Sequence, residues 1–237
     1  MTPSRRPLWQ QRLILVLAYQ APVLTAVGLA LLIPLIAAVW EAQGIPPWLE
    51  VRGFLLPASI AIFLGVTIRI RRPAVFTLTQ HEALLVTTAA WLSMGVLGAV
   101  PFILILETPP VNALLESVSG FTTAGTTMLI GLDALPRAIL VWRMLTQWLG
   151  GLGILLIILL VGQSRGSQAQ SLLSAEGVKV NSGRLSLNFQ RAAVRFTIIY
   201  VILTLSQMII TWLLGMPLFD SLYHAMTTVS TGGFSPH

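Results

Sequence analysis

The sequence predicts an all-α membrane protein. Two N-terminal transmembrane helices precede a repeated unit of helix, short dipping helix, hydroxyl/glycine strand and helix. Three observations carry this prediction. The 237-residue chain is 55% hydrophobic and only 9% charged, whereas soluble domains carry roughly 25% charged residues. The charges also leave long gaps, between Arg12 and Glu41, Glu82 and Glu107, Arg143 and Arg165, and Arg195 and Asp220. A charge-free run of about 20 residues crosses the hydrocarbon layer as a helix. A shorter gap, Arg52 to Arg69, can span if Arg69 snorkels to the interface. Finally, the stretches "SVSGFTTAGTTMLIG" and "AMTTVSTGGFSPH" concentrate Ser, Thr and Gly beside these greasy runs.

The elements follow in order. Residues 1–75 hold an N-terminal helix pair, from about Leu13 to Trp40 and Phe54 to Ile70. The connector "EAQGIPPWLEVR" reads as a loop because Gly and paired Pro punctuate it. The first pore unit occupies 76–162. It comprises a helix over 82–106, a pore helix over 110–121, a strand over 122–126 and a helix over 136–161 that begins on Pro136. A polar segment, 163–191, follows. An incomplete second unit, 192–237, has a helix over 192–214, a pore helix over 217–228 and a strand over 229–233. Five membrane helices result.

Charge placement sets the topology. Eleven of the fourteen basic residues lie before the first span, after the second, or between the fourth and fifth. The positive-inside rule then puts the N-terminus and the 163–191 segment in the cytoplasm. The basic excess is thus a topology signal, and nucleic acid is not the expected partner. Glu41, Glu50, Glu107, Asp133 and Asp220 fall at or near the outer surface, with Glu116 slightly deeper. An acidic rim concentrates cations at a mouth, although each acid taken singly reads as a solvated loop residue.

With the third span ending outside and the fourth starting outside, the intervening residues form a re-entrant hairpin. Bare backbone at membrane depth is tolerated only where protein covers it or water fills a cavity, so the Thr/Gly stretch lines a pore. The segment before His237 repeats the pattern, and an ungapped pairing sets Gly125 on Gly232 and Thr123 on Ser230. Repeated membrane units point to a pore or transporter built around a pseudo-symmetry axis. Backbone carbonyls can replace an ion's hydration shell, and glycine allows the backbone angles this needs. The short helices point their partially negative C-termini at the same place. This chemistry suits a large monovalent cation.

Other features exclude competing classes. The chain has no cysteine, so thiol catalysis and thiolate metal sites are ruled out. No Ser/His/Asp arrangement or Walker pattern is present, and the expected function is not enzymatic; no cofactor is expected. Arg143, inside a span, is costly; it can pair with Glu116, pair with Asp133, or reach the outer interface. Asp220 and Ser221 read as first-turn capping residues. Gly150, Gly151 and Gly153 read as a helix-packing surface.

The segments "LLESVSGFTTAGTTMLIGLDALPRAILVWRMLTQWLGGLGI" and "FDSLYHAMTTVSTGGFS" resemble the first and second pore loops of the Trk/Ktr/HKT potassium-transporter superfamily, on its bacterial TrkH-type side. The resemblance is strong over residues 80–237, and the first two helices match the extra pair of TrkH-type members. It implies a potassium-channel-like architecture with four repeats and one filter glycine in each, here Gly125 and Gly232. It also implies potassium binding by carbonyls of Thr122, Thr123, Ala124, Gly125, Val229, Ser230, Thr231 and Gly232. The implied function is potassium uptake across the bacterial cytoplasmic membrane. The implied partners are the lipid bilayer, a second copy in a homodimer, and a cytoplasmic nucleotide-binding regulatory subunit docking on Gln163–Arg191. Two filter strands cannot surround an ion, so the chain is expected to be the N-terminal part of a longer subunit, truncated after its second pore loop. Sodium- or proton-coupled symport, and a non-conducting fragment, are the alternatives.

Overall fold

The computed structural model describes residues 8–40, 47–70, 80–153 and 182–236. Among these the chain is all-helical: α1 (Leu8–Ala30), α2 (Pro34–Trp40), α3 (Pro47–Ile70), α4 (Gln80–Leu106), α5 (Pro110–Phe121), α6 (137–153 in its described part), α7 (Ser182–Leu213) and α8 (Leu218–Val229). Four stretches are long and apolar enough to cross a membrane: Val16–Ala38, Trp48–Ile70, Glu82–Leu106 and Arg191–Leu213. The fifth expected span, 136–161, is helical over 137–153, and its remainder lies outside the described residues.

The main departures from the expected bounds fall in the first, second and fifth spans, and α1 starts at Leu8 rather than Leu13. The first span is broken at 31–33, where Leu32, Ile33, Leu35 and Ile36 bond three residues back rather than four. Pro34 causes the break: it offers no N–H and disfavours helical angles at Ile33. α3 starts at Pro47, seven residues ahead of Phe54. The Pro pair read as a loop is also a helix start, because a proline at the first helical position forfeits no hydrogen bond. As a result Glu50 lies in the first turn of α3, where its side chain is 1% exposed rather than solvated in a loop. α7 starts at Ser182 rather than 192, so the last ten residues of the expected cytoplasmic segment are helical.

The chain divides into two compact units, Met1–Ser119 with Thr126–Arg143, and Gly120–Gly125 with Met144–His237. In the first, α1 and α3 run closely side by side. A Cβ on Gly28 would sit 3.0 Å from the Ala58 carbonyl oxygen, and one on Gly65 would sit 2.9 Å from that of Ala21. Small residues let membrane helices approach this way, where dispersion replaces the missing hydrophobic drive. Polar bonds add to the packing. The buried Gln20 donates to the Val86 carbonyl at 2.9 Å. The indole of Trp142 donates to the Gly98 carbonyl at 2.9 Å and meets Phe54 edge-on at 6.3 Å.

In the second unit, α6, α7 and α8 pack through aromatic residues. Tyr200 donates its hydroxyl to the Trp148 carbonyl at 3.0 Å, and the Trp148 indole donates to Thr204 at 3.1 Å. Only 11% of the α7 span is buried. Its outer surface, including Ile198, Ile202 and Ile209, is exposed apolar surface suited to lipid.

Candidate functional site

Each hydroxyl/glycine stretch follows a short amphipathic helix, α5 or α8, each 12 residues long. Such helices are too short to cross the bilayer. Both begin after a proline whose carbonyl accepts the first turn's bond: Ala113 N–H to Pro109 at 3.0 Å, and Ser221 N–H to Pro217 at 2.8 Å. Pro217 is the N-cap, with no side-chain cap bond there; Asp220 lies in the first turn, where an acid favours the dipole.

Both helices end in the same backbone device. After α5, the Thr123 N–H bonds the Gly120 carbonyl, and after α8 the Thr231 N–H bonds that of Thr228, both at 2.9 Å. Thr123 and Thr231 are left-handed, at φ 57° and 56°, and Gly125 and Gly233 are left-handed at 76° and 78°. Ahead of the helices, Glu107 and Gly215 are also left-handed, at 51° and 99°. All three pairs are 108 residues apart. The backbone therefore pairs Gly125 with Gly233, one residue later than the ungapped pairing with Gly232. Val229 is the last residue of α8, not part of the extended segment. Holding a threonine in the left-handed region costs roughly 1 kcal/mol, and such outliers cluster at functional sites.

In the second unit the two stretches approach each other. A Cβ on Gly125 would collide with the Gly232 carbonyl oxygen. This places the Gly125 and Gly232 backbones together without room for a side chain. α6 supports both ends of the pair. Its Gly150 lies against the Phe121 backbone, and its Gly151 against Ser230 and Tyr200. Gly153 has open space among the described residues. The Gln147 side chain, wholly buried, fills the space beside Gly232 and accepts the Phe234 N–H at 3.1 Å through Oε1. Gln147→Leu removes that hydrogen bond. The expected cost is about 0.5–1.5 kcal/mol, read as a lower thermal midpoint in detergent; an unchanged midpoint would refute the support role.

In the first unit, Arg143 finds Glu116, one of the partners the sequence left open. Arg143 Nε donates to Glu116 Oε1 at 2.8 Å, and both side chains are fully buried. Thr127 lies 2.9 Å from Oε2 and 3.0 Å from Oε1, and the Met128 N–H donates to Oε2 at 3.0 Å. Of the other acids expected near the outer face, Glu107 and Asp133 are exposed and Asp220 is half-buried, while Glu41 lies outside the described residues.

Sequence reasoning missed Gln147. Its only signal was a polar side chain in the middle of an apolar run, which is rare enough inside membranes to suggest a role. The Glu116–Thr127 bond was also missed, because residues 11 apart across a turn carry no periodic signature.

Four helices long and apolar enough to cross a membrane define a multi-pass, all-helical membrane protein. Residues 58–237 match the family described as "TrkH: Cation transport protein", and the chain belongs to that family. The family moves ions and is not enzymatic. The Trk system potassium uptake protein TrkH of Salmonella typhimurium is 37% identical over 164 residues, covering 68% of this chain and 34% of that protein. Its namesake in Halomonas elongata is 30% identical over 214 residues, covering 89% of this chain and 43% of that protein. The crystal structure of the potassium transporter TrkH from Vibrio parahaemolyticus superimposes with a TM-score of 0.74 at 27% identity, covering 95% of this chain and 44% of that one. The chain thus spans less than half the length of these relatives.

Proposed function

We propose that this chain supplies two filter segments of a potassium uptake pore in a bacterial cytoplasmic membrane. The observation that carries the proposal is the pair of left-handed turns, matched over 108 residues and meeting at Gly125 and Gly232. A backbone turned this way presents successive carbonyl oxygens to one axis, which is how a pore replaces the water around potassium. The carbonyls assigned to the ion are those of Thr122, Thr123, Ala124 and Gly125. Following the backbone register, those of Ser230, Thr231, Gly232 and Gly233 join them, with Val229 serving as the end of its helix. Closing a ring around the ion takes two further units of the same kind, carried by the whole protein. The names of the relatives support potassium as the ion. The clustering of basic residues supports a cytoplasmic N-terminus. A homodimer and a nucleotide-binding regulatory subunit on the cytoplasmic side complete the assembly.

The test is rubidium uptake by the whole protein in liposomes under an imposed potassium gradient. Uptake above empty vesicles, blocked by excess potassium, is expected. Absence of flux in folded protein overturns the proposal. Imposed sodium and proton gradients separate passive conduction from symport: passive conduction responds only to membrane potential and to the potassium gradient.

A further inference from the structure

We propose that Glu116, Arg143 and Thr127 form a positioning clamp that sets the potassium preference of the first filter segment. The inference rests on the filter reading above and extends it to side chains that do not touch the ion.

The segment after the turn needs an outside support. Among the described residues, 124–130 make no backbone-to-backbone hydrogen bond. The bonds that do hold this stretch converge on two side chains. Met128 donates its N–H to Glu116 Oε2 at 3.0 Å, and Leu129 donates its N–H to Thr127 Oγ1 at 3.2 Å. The Thr127 hydroxyl donates its proton to the Glu116 carboxylate, with Oε1 and Oε2 nearly equidistant. It also accepts from Arg143 Nη2 at 3.2 Å. Arg143 in turn holds the carboxylate through Nε at 2.8 Å. Pore helix, exit strand and α6 are thereby tied at one carboxylate, and Thr127, which it holds, lies two residues along the chain from Gly125.

A buried ion pair is seldom retained for stability alone, because desolvation offsets its attraction. Here the pair gives directional, charge-assisted bonds to an otherwise unladdered strand. Selectivity depends on oxygen spacing, and a strand released at Thr127 can relax at Gly125. The second repeat carries no carboxylate at the corresponding position. At the same backbone register, His224 stands for Glu116 and Ser235 for Thr127, and Gln147 holds the strand at Phe234 instead. Loss of the clamp therefore acts on one filter segment.

The experiment uses the whole protein in liposomes and reads the potassium-to-sodium flux ratio. Thr127→Val keeps the side-chain shape and removes the hydroxyl. Glu116→Gln combined with Arg143→Met removes both buried charges and leaves neither unpaired. Both variants are expected to elute as the parent does on size exclusion. Both are expected to lose potassium preference by about tenfold, the ratio one charge-assisted hydrogen bond supports. If Thr127→Val elutes normally and keeps the parental ratio, the clamp is only a structural anchor and the proposal falls. Gly125→Ser is the parallel arm. If it also leaves the ratio unchanged, the filter reading itself fails; if it alone shifts the ratio, only the clamp fails.

Discussion

Gly125→Ser is expected to cut the preference of the whole protein for potassium over sodium by more than about tenfold, the factor 1.4 kcal/mol supports. Two independent costs act at this position. The backbone sits at φ 76°, where a residue with a Cβ is disfavoured by about 1–2 kcal/mol. The new Cβ would also collide with the Gly232 carbonyl oxygen, and the carbonyl carbon lies only 3.4 Å away. The obstacle is backbone rather than a flexible side-chain tip, so the two strands must separate. Separation moves the carbonyls proposed to hold the ion. Gly233→Ala is the informative comparison. Its φ is 78° but, among the described residues beyond its chain neighbours, no atom lies within 4 Å of its Cβ position. It should carry the conformational cost without the collision, and its ratio should shift less. Flux ratios in liposomes check both; a parental ratio for Gly125→Ser would remove the filter assignment.

Gly150→Val is expected to prevent the protein from folding to a monodisperse species. The Gly150 Cβ position overlaps the Phe121 carbonyl oxygen and lies 3.0 Å from the Phe121 Cα. Phe121 closes α5 and is itself buried, so it has little room to retreat. Overpacking of a well-filled site costs typically 1–3 kcal/mol and occasionally more, and a collision with backbone belongs at the upper end. Gly153→Ala, whose Cβ meets nothing within 4 Å among the described residues, should elute and melt like the parent. Size exclusion of detergent-solubilised protein reads both. Equal behaviour of the two variants would mean that α6 does not press on the end of α5.

Much of the architecture was legible because lipid makes a blunt demand. Each span needs a long, predominantly apolar run, and four such stretches stand in the structure over four of the charge gaps, with charges confined to their ends. Helix ends were less legible. Pro47 and Ser182 begin helices inside stretches that composition marks as loop or solvated linker. A proline pair serves a turn and a first helical turn equally well, and only the neighbours decide. Arg143 was visible as a charge out of place, but three destinations were open to it.

The amino-acid sequence alone determined that this chain crosses a membrane and carries two hydroxyl- and glycine-rich turns, each after a short helix. It did so because hydropathy and turn chemistry are local properties. The tertiary structure decided which of two adjacent glycines repeats Gly125, since identity of letters cannot report the sign of φ. It also decided that Glu116 receives Arg143 and Thr127, and that Gln147 holds Phe234. Those pairings join elements far apart in the chain, and they exist only once packing has excluded water from around them.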